Sequence, residues 1–191
     1  IAASGAARGA APVADPATPA APVRDTQFGF MHVLDINGDG RNDVLTSMGH
    51  DYGVCWFQQN ADGTWTQRVI DNTWSQAHAS VLTDLNGDGQ PDLVTGKRYM
   101  AHNGSDPGER EPVGLYWYEF RRAVPDSVAP GTPQAAIPLV WTRHIIDYGG
   151  RMGGGMQIVA RDLDGDGDLD IVSGGKAGLF LAENLTKSPG R

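Results

Sequence analysis

The sequence predicts an all-β chain assembled from similar four-strand units. Three observations carry that prediction. A nine-residue pattern, D-x-(N/D)-G-D-G-x-x-D, occurs three times, as DINGDGRND, DLNGDGQPD and DLDGDGDLD, beginning at Asp35, Asp84 and Asp162. Each copy follows an extended apolar run (FMHVL, ASVLT, MQIVA) and precedes another (DVLTS, DLVTG, DIVSG). No segment carries a long apolar period of 3.6 residues with capping residues at its ends.

Residues 1–26 open with IAASGAARGAAPVADPATPAAPVR, which has no aromatic residue and few bulky aliphatic ones. Such a stretch buries too little apolar surface to order itself, and its prolines stiffen it into a spacer, so a flexible tether is expected. Residues 121–138 have the same flavour and read as an insertion between strands. Downstream of the acidic loops, YGVCWFQQN, VGLYWYEF and AGLFLAEN align with one another, and WTQRVID (65–71) matches WTRHIID (141–147). These runs are rich in Val, Ile, Thr and aromatic residues and are separated by Gly, Asp and Asn turns, as strands are. The acidic loops are 49 and then 78 residues apart, and the wider step holds two insertions, 98–112 and 121–138. Removing about 30 residues restores a spacing near the 40–50 expected of propeller blades.

The expected architecture is therefore a β-propeller segment of about two and three-quarter blades, over 27–72, 73–147 and 150–187. A propeller typically closes with four or more blades, so further blades or partner chains are expected to complete it. The start at Ile1 rather than Met fits a chain processed or cut from something longer.

The formal net charge is −8, which argues against nucleic acid as a partner, because phosphate binding needs a basic face. Eleven of the 23 acidic residues lie in the three loops, so the acidity is concentrated rather than spread. The single cysteine, Cys55, sits in the apolar run GVCWF and reads as a small buried hydrophobe, with neither a disulfide framework nor a zinc spacing around it. No apolar run approaches the length of a membrane span.

Two carboxylates about 4 Å apart repel by roughly 4 kcal/mol at an effective dielectric near 20. A tight turn holding three or more of them therefore asks for a cation. Oxygen donors at positions 1, 3, 5 and 9, with the backbone carbonyl of position 7, supply five or more hard ligands, which suits calcium over zinc, copper or magnesium. An EF-hand would need a bidentate Glu at position 12 and flanking helices. Here position 12 is Thr46, Thr95 or Ser173, the flanks read as strands, and Pro91 stands at position 8 of the second loop.

The pattern resembles the FG-GAP/VCBS-type repeat of integrin alpha-subunit propellers and many secreted bacterial proteins, over about residues 28–187. Phe28–Gly29 keeps the FG dipeptide once, and the other units depart from it. The resemblance implies that each loop joins the first two strands of a blade and binds calcium, up to three ions in all. The implied side-chain ligands are Asp35, Asn37, Asp39 and Asp43, then Asp84, Asn86, Asp88 and Asp92, then Asp162, Asp164, Asp166 and Asp170. Carbonyls of Arg41, Gln90 and Asp168 would complete the shells.

The 98–112 insertion, within GKRYMAHNGSDPGEREP, is too long for a plain turn. His78, Tyr99 and His102 are the residues that could converge there as metal ligands or an acid–base set, against the plainer expectation that the insertion covers a blade face. This stretch is similar to propeller domains of bacterial repeat proteins and of aldos-2-ulose dehydratase, a sugar-dehydrating enzyme. His32 and His144 read as packed strand histidines. Trp56, Trp65, Trp117 and Trp141 read as inter-blade core, and Trp74, in DNTWSQ, as an exposed contact.

The functional expectation is a calcium-binding, extracellular or periplasmic propeller module for protein or carbohydrate binding and assembly. Its partners would be remaining blades, another protein or a glycan. The rivals are a carbohydrate-active lyase or dehydratase using the 98–112 insertion, and a structural subunit of a larger complex.

Overall fold

The computed structural model describes residues 11–12, 27–122, 129, 131–132 and 138–187. Among them are twelve strands and no helix. The strands are β1 (Ala11–Pro12), β2 (His32–Leu34), β3 (Asp43–Ser47), β4 (Tyr52–Gln59), β5 (Trp65–Ser75) and β6 (Ala77–Thr83), then β7 (Asp92–Lys97), β8 (Gly114–Arg122), β9 (Leu139–Tyr148), β10 (Gln157–Arg161), β11 (Asp170–Gly175) and β12 (Gly178–Ala182). They form three antiparallel meanders in chain order: β2-β3-β4-β5, β6-β7-β8-β9 and β10-β11-β12. The fold is all-β, and its sheets are propeller-like blades that do not close into a ring among the described residues. The expected tether lies outside the described residues except for Ala11–Pro12, whose backbone pairs with Arg143 and Thr142 on the edge of β9. Most of the 121–138 insertion also lies outside them.

The core sits between sheets rather than within them, because successive residues of a strand point to opposite faces. Leu93 and Tyr116 face the first sheet, where, with Trp141 of β9, they join Leu45, Val54, Trp56 and Ile70. Their neighbours Val94 and Leu115 face the third sheet and meet Met152, Ile158 and Ile171. Fully burying such an aliphatic or aromatic side chain contributes about 1.5–3 kcal/mol. The backbones also abut: Phe30 N–H donates to the His78 carbonyl at 3.0 Å, and Gly154 N–H to that of Lys97 at 3.1 Å. A Cβ on Gly29 would lie 2.5 Å from the His78 carbonyl oxygen, so the approach requires glycine there.

A buried polar lock joins the first two sheets. The Tyr118 hydroxyl donates to Asp71 Oδ2 at 2.8 Å and accepts Trp74 Nε1–H at 2.7 Å, and Arg143 Nη1 donates to the same Asp71 oxygen at 2.8 Å. Trp74 is thus 5 % exposed, contrary to its expected role as a surface contact: β5 runs on to Ser75 and carries it into the core. Trp65 is corrected the other way. It starts that strand at the sheet's rim and stays 49 % exposed.

Candidate metal centres

The three acidic turns connect β2 to β3, β6 to β7 and β10 to β11, always at the same end of a sheet. Their hydrogen bonds repeat. Asp35 Oδ1 accepts the backbone N–H of Gly38 at 2.7 Å and of Asp39 at 3.1 Å, and its Oδ2 accepts that of Gly40 at 2.8 Å. Asp84 does the same for Gly87, Asp88 and Gly89, and Asp162 for Gly165 and Gly167. Asn37, Asn86 and Asp164 each accept from the N–H two residues on, as do Asp39, Asp88 and Asp166 from Arg41, Gln90 and Asp168. The last aspartate closes the turn by accepting from position 2: Asp43 from Ile36, Asp92 from Leu85 and Asp170 from Leu163. The paired glycines supply the left-handed backbone, with φ of 73° and 85° at Gly38 and Gly40.

The carboxylates and amides of each pattern are therefore gathered on one turn, with part of each group's lone-pair capacity committed to backbone N–H groups. Asp162, Asp164 and Asp166 each offer an oxygen, and these lie within 4.8 Å of one another. An oxygen shell around calcium spans about 4.6–5.2 Å, twice the 2.3–2.6 Å bond. Asp92 Oδ1 and Asp168 Oδ1 are buried without a hydrogen-bond partner among the described residues, and a cation within reach would satisfy them. Burial pushes the Asp43 and Asp168 carboxyls above the usual range and Asp92 up to about 6, with neighbouring carboxylates adding to each. The donor set fits a hard divalent cation.

The loops differ in how far the protein neutralises itself. Arg41 pairs with Asp39, and Asn37 Nδ2 donates to the same oxygen at 2.8 Å. In the second loop Arg121 lies 3.8 Å from Asp88 Oδ2 and Asn86 donates to Glu119 at 2.9 Å. The third carries five aspartates, with Lys187 Nζ donating to the Gly167 carbonyl inside the loop.

At the opposite end of the sheets a different group assembles. His50, in the β3–β4 turn, meets His102 and Asp106 of the β7–β8 insertion. Its Nδ1 is 3.0 Å from Asp106 Oδ2 and 3.2 Å from His102 Nδ1, which is itself 2.8 Å from Asp106 Oδ2. The two rings stack at 4.6 Å, 4° from parallel. Burial alone would raise the Asp106 carboxyl, but the two histidines hold it below its ordinary value. His78 is the next ring out, 6.0 Å from His50, and burial and then Arg98 push its imidazole down. Tyr99 stays 46 % exposed and lines a neighbouring cavity of about 200 Å³ with Lys97, Arg98, Arg151 and Lys176. Of the expected trio, only His102 is in the cluster; His50 and Asp106 replace Tyr99 and His78. The missed signal was repeat equivalence, since the β3–β4 and β7–β8 connections occupy the same end of successive sheets.

His32 donates to or accepts from Ser80 at 2.9 Å, and His144 stacks on Trp117 at 4.0 Å, so both pack on strands as expected.

Residues 35–95 match the FG-GAP-like repeat family, from the first aspartate of the first loop to just past the second. The third loop lies outside that match yet repeats the same hydrogen bonds. No curated protein and no solved structure matches the chain.

Proposed function

For a chain that carries an FG-GAP-like repeat, we propose the role of a calcium-stabilised propeller module that works outside the cytoplasm and docks on protein. The observation behind it is the threefold repetition of one carboxylate turn, with buried carboxylate oxygens at Asp92 and Asp168 that have no partner among the described residues. Asp35, Asn37, Asp39 and Asp43 would hold the first ion, Asp84, Asn86, Asp88 and Asp92 the second, and Asp162, Asp164, Asp166 and Asp170 the third. Carbonyls of Arg41, Gln90 and Asp168 fill the remaining positions. Bound calcium supplies the positive charge that lets these carboxylates share a turn. The turn itself ties the first two strands of each sheet through the aspartate at position 9. Extracellular calcium modules work with dissociation constants of about 10⁻⁴–10⁻³ M, which suits a compartment outside the cytosol. No helix among the described residues is long and apolar enough to cross a membrane.

The protein-docking half rests on the third sheet. Val54 and Trp56 of β4 are covered by the second sheet, and their repeat equivalents Leu115 and Trp117 of β8 pack toward the third. The next equivalents, Leu179 and Leu181 of β12, are 77 % and 56 % exposed. A further sheet of the same kind, or a partner protein presenting one, fits that face. Calorimetric titration of chelator-treated chain with calcium, followed by sedimentation with and without chelator, tests the reading. Heat of binding for up to three ions is expected, and a chain indifferent to millimolar calcium would overturn it.

A further inference from the structure

We propose that His50 and His102, through Nδ1, and Asp106, through Oδ2, form a separate site for a divalent transition ion of the zinc class. The site stands apart from the acidic turns. It lies beyond the far end of β3, a strand of five residues, and so about 17 Å along the sheet. Its donor set is also different, because two imidazoles favour zinc, cobalt, nickel or iron over calcium or magnesium.

The spacing of the donor atoms is that of a coordination face. Ligands bound at about 2.0–2.1 Å lie about 2.8–3.4 Å apart at the edges of an octahedron or tetrahedron. The three separations here are 2.8, 3.0 and 3.2 Å. The three atoms are close enough to share one ion, and aiming both Nδ1 lone pairs at it takes a turn of the stacked imidazoles out of parallel, a side-chain rotation rather than a loop movement. Free of metal, Asp106 Oδ2 accepts a hydrogen bond from each imidazole as its Nδ1–H tautomer, and an ion that displaces those two protons would take a lone pair from all three atoms.

The surroundings point to the same spot independently. The non-glycine residues with positive φ among those described are Gln76, Met100 and Asn103, and all three border this cluster. Backbone strain of this kind persists where the structure holds a functional geometry. Glu109 is 1 % exposed; one carboxylate oxygen accepts the backbone N–H of His102, and the other has no partner among the described residues. Gln76 is fully buried beside Asp106, with neither amide atom in a hydrogen bond of ordinary geometry. Glu109 thus fixes the backbone of His102, and Gln76 stands against Asp106, so buried polar side chains back the loop that carries two of the three donors. The adjoining cavity, with Lys97, Arg98, Arg151 and Lys176 on its walls, gives an anionic small molecule access to the neighbourhood of the ion.

The test is a titration of the untagged full chain with cobalt(II), held in saturating calcium so that the acidic turns are occupied. The readouts are heat and the visible d–d absorption of the bound ion. One cobalt per chain with nitrogen-ligated absorption, displaced by zinc, is the expected result. His102→Gln, in an exposed loop, and His50→Gln should each weaken cobalt binding at least about tenfold. Neither should change the calcium stoichiometry, which also shows that the variant is folded. Absence of cobalt binding by the calcium-loaded chain, or binding that both variants leave unchanged, would overturn the assignment.

Discussion

The Tyr118 hydroxyl donates to the buried carboxylate of Asp71 across the first inter-sheet interface, at 2.8 Å. Removing only that hydroxyl, in Tyr118→Phe, leaves Asp71 its bonds from Thr73 and Arg143 but strips Trp74 Nε1–H of its acceptor in a site 5 % exposed. A buried donor left unpaired costs about 1–3 kcal/mol. Urea unfolding should register a loss of that size, whereas Tyr148→Phe, on a residue 59 % exposed, should stay within about 0.5 kcal/mol.

The same tyrosine shapes the alkaline limit. Burial, then the Asp71 charge, holds the Tyr118 hydroxyl well above its ordinary value, and burial takes Tyr116 to about 12. A hydrogen bond to Glu111 does likewise for Tyr52, to about 12. Groups whose folded pKa is raised stabilise the fold fully below the unfolded value, near 10 for tyrosine, and that stability drains away as pH climbs towards 12. Phenolate absorbance of the folded chain should lag behind that of the urea-unfolded chain between about pH 10 and 12. Coincident curves would contradict the buried phenols.

Unequal numbers of carboxylates order the acidic turns. The five-aspartate third loop should take calcium most tightly, and the first, where Arg41 already sits on Asp39, more weakly. Asp164→Ala should remove the highest-affinity step of a calcium titration, and Arg41→Gln should strengthen the step assigned to the first loop. At ten times its dissociation constant each ion adds about 1.4 kcal/mol of stability, so chelation should lower the melting temperature measurably.

Equivalent leucines should respond differently. Leu115→Ala empties a fully buried position and should cost about 2–5 kcal/mol. Leu179→Ala, at the matching position of the third sheet, should cost under about 0.5 kcal/mol in the isolated chain. Binding of a partner to that sheet should fall instead. Equal losses of stability would mean that the third sheet is already covered.

Cys55 is buried, and that burial pushes its thiol up to about 11. Iodoacetamide at about pH 8, where an ordinary thiol near 8.5 reacts, should leave the native chain unlabelled and label it once in denaturant.

The fold was legible in the sequence because its signals are local. A strand announces itself by alternation, and an acidic turn by glycines at fixed offsets, as at Gly38 and Gly40. The histidine cluster was only half legible. His50 stands in an ordinary turn, SMGHDYG, and acquires partners only when the β7–β8 insertion folds over that end of the neighbouring sheet. Trp74 misled for a related reason. Its polar neighbours Asp71 and Thr73 look like a turn, but Tyr118 and Arg143, more than 40 residues away, supply the partners that let Asp71 enter the interior beside Trp74.

Because apolar contacts run from one sheet to the next, no blade owns a core of its own, and each is stabilised by its neighbours. Such a chain behaves as a linear stack of coupled units. Its middle sheet, sandwiched on two faces, should be the last to exchange its amide hydrogens, and unravelling should begin at the flanks and travel inward.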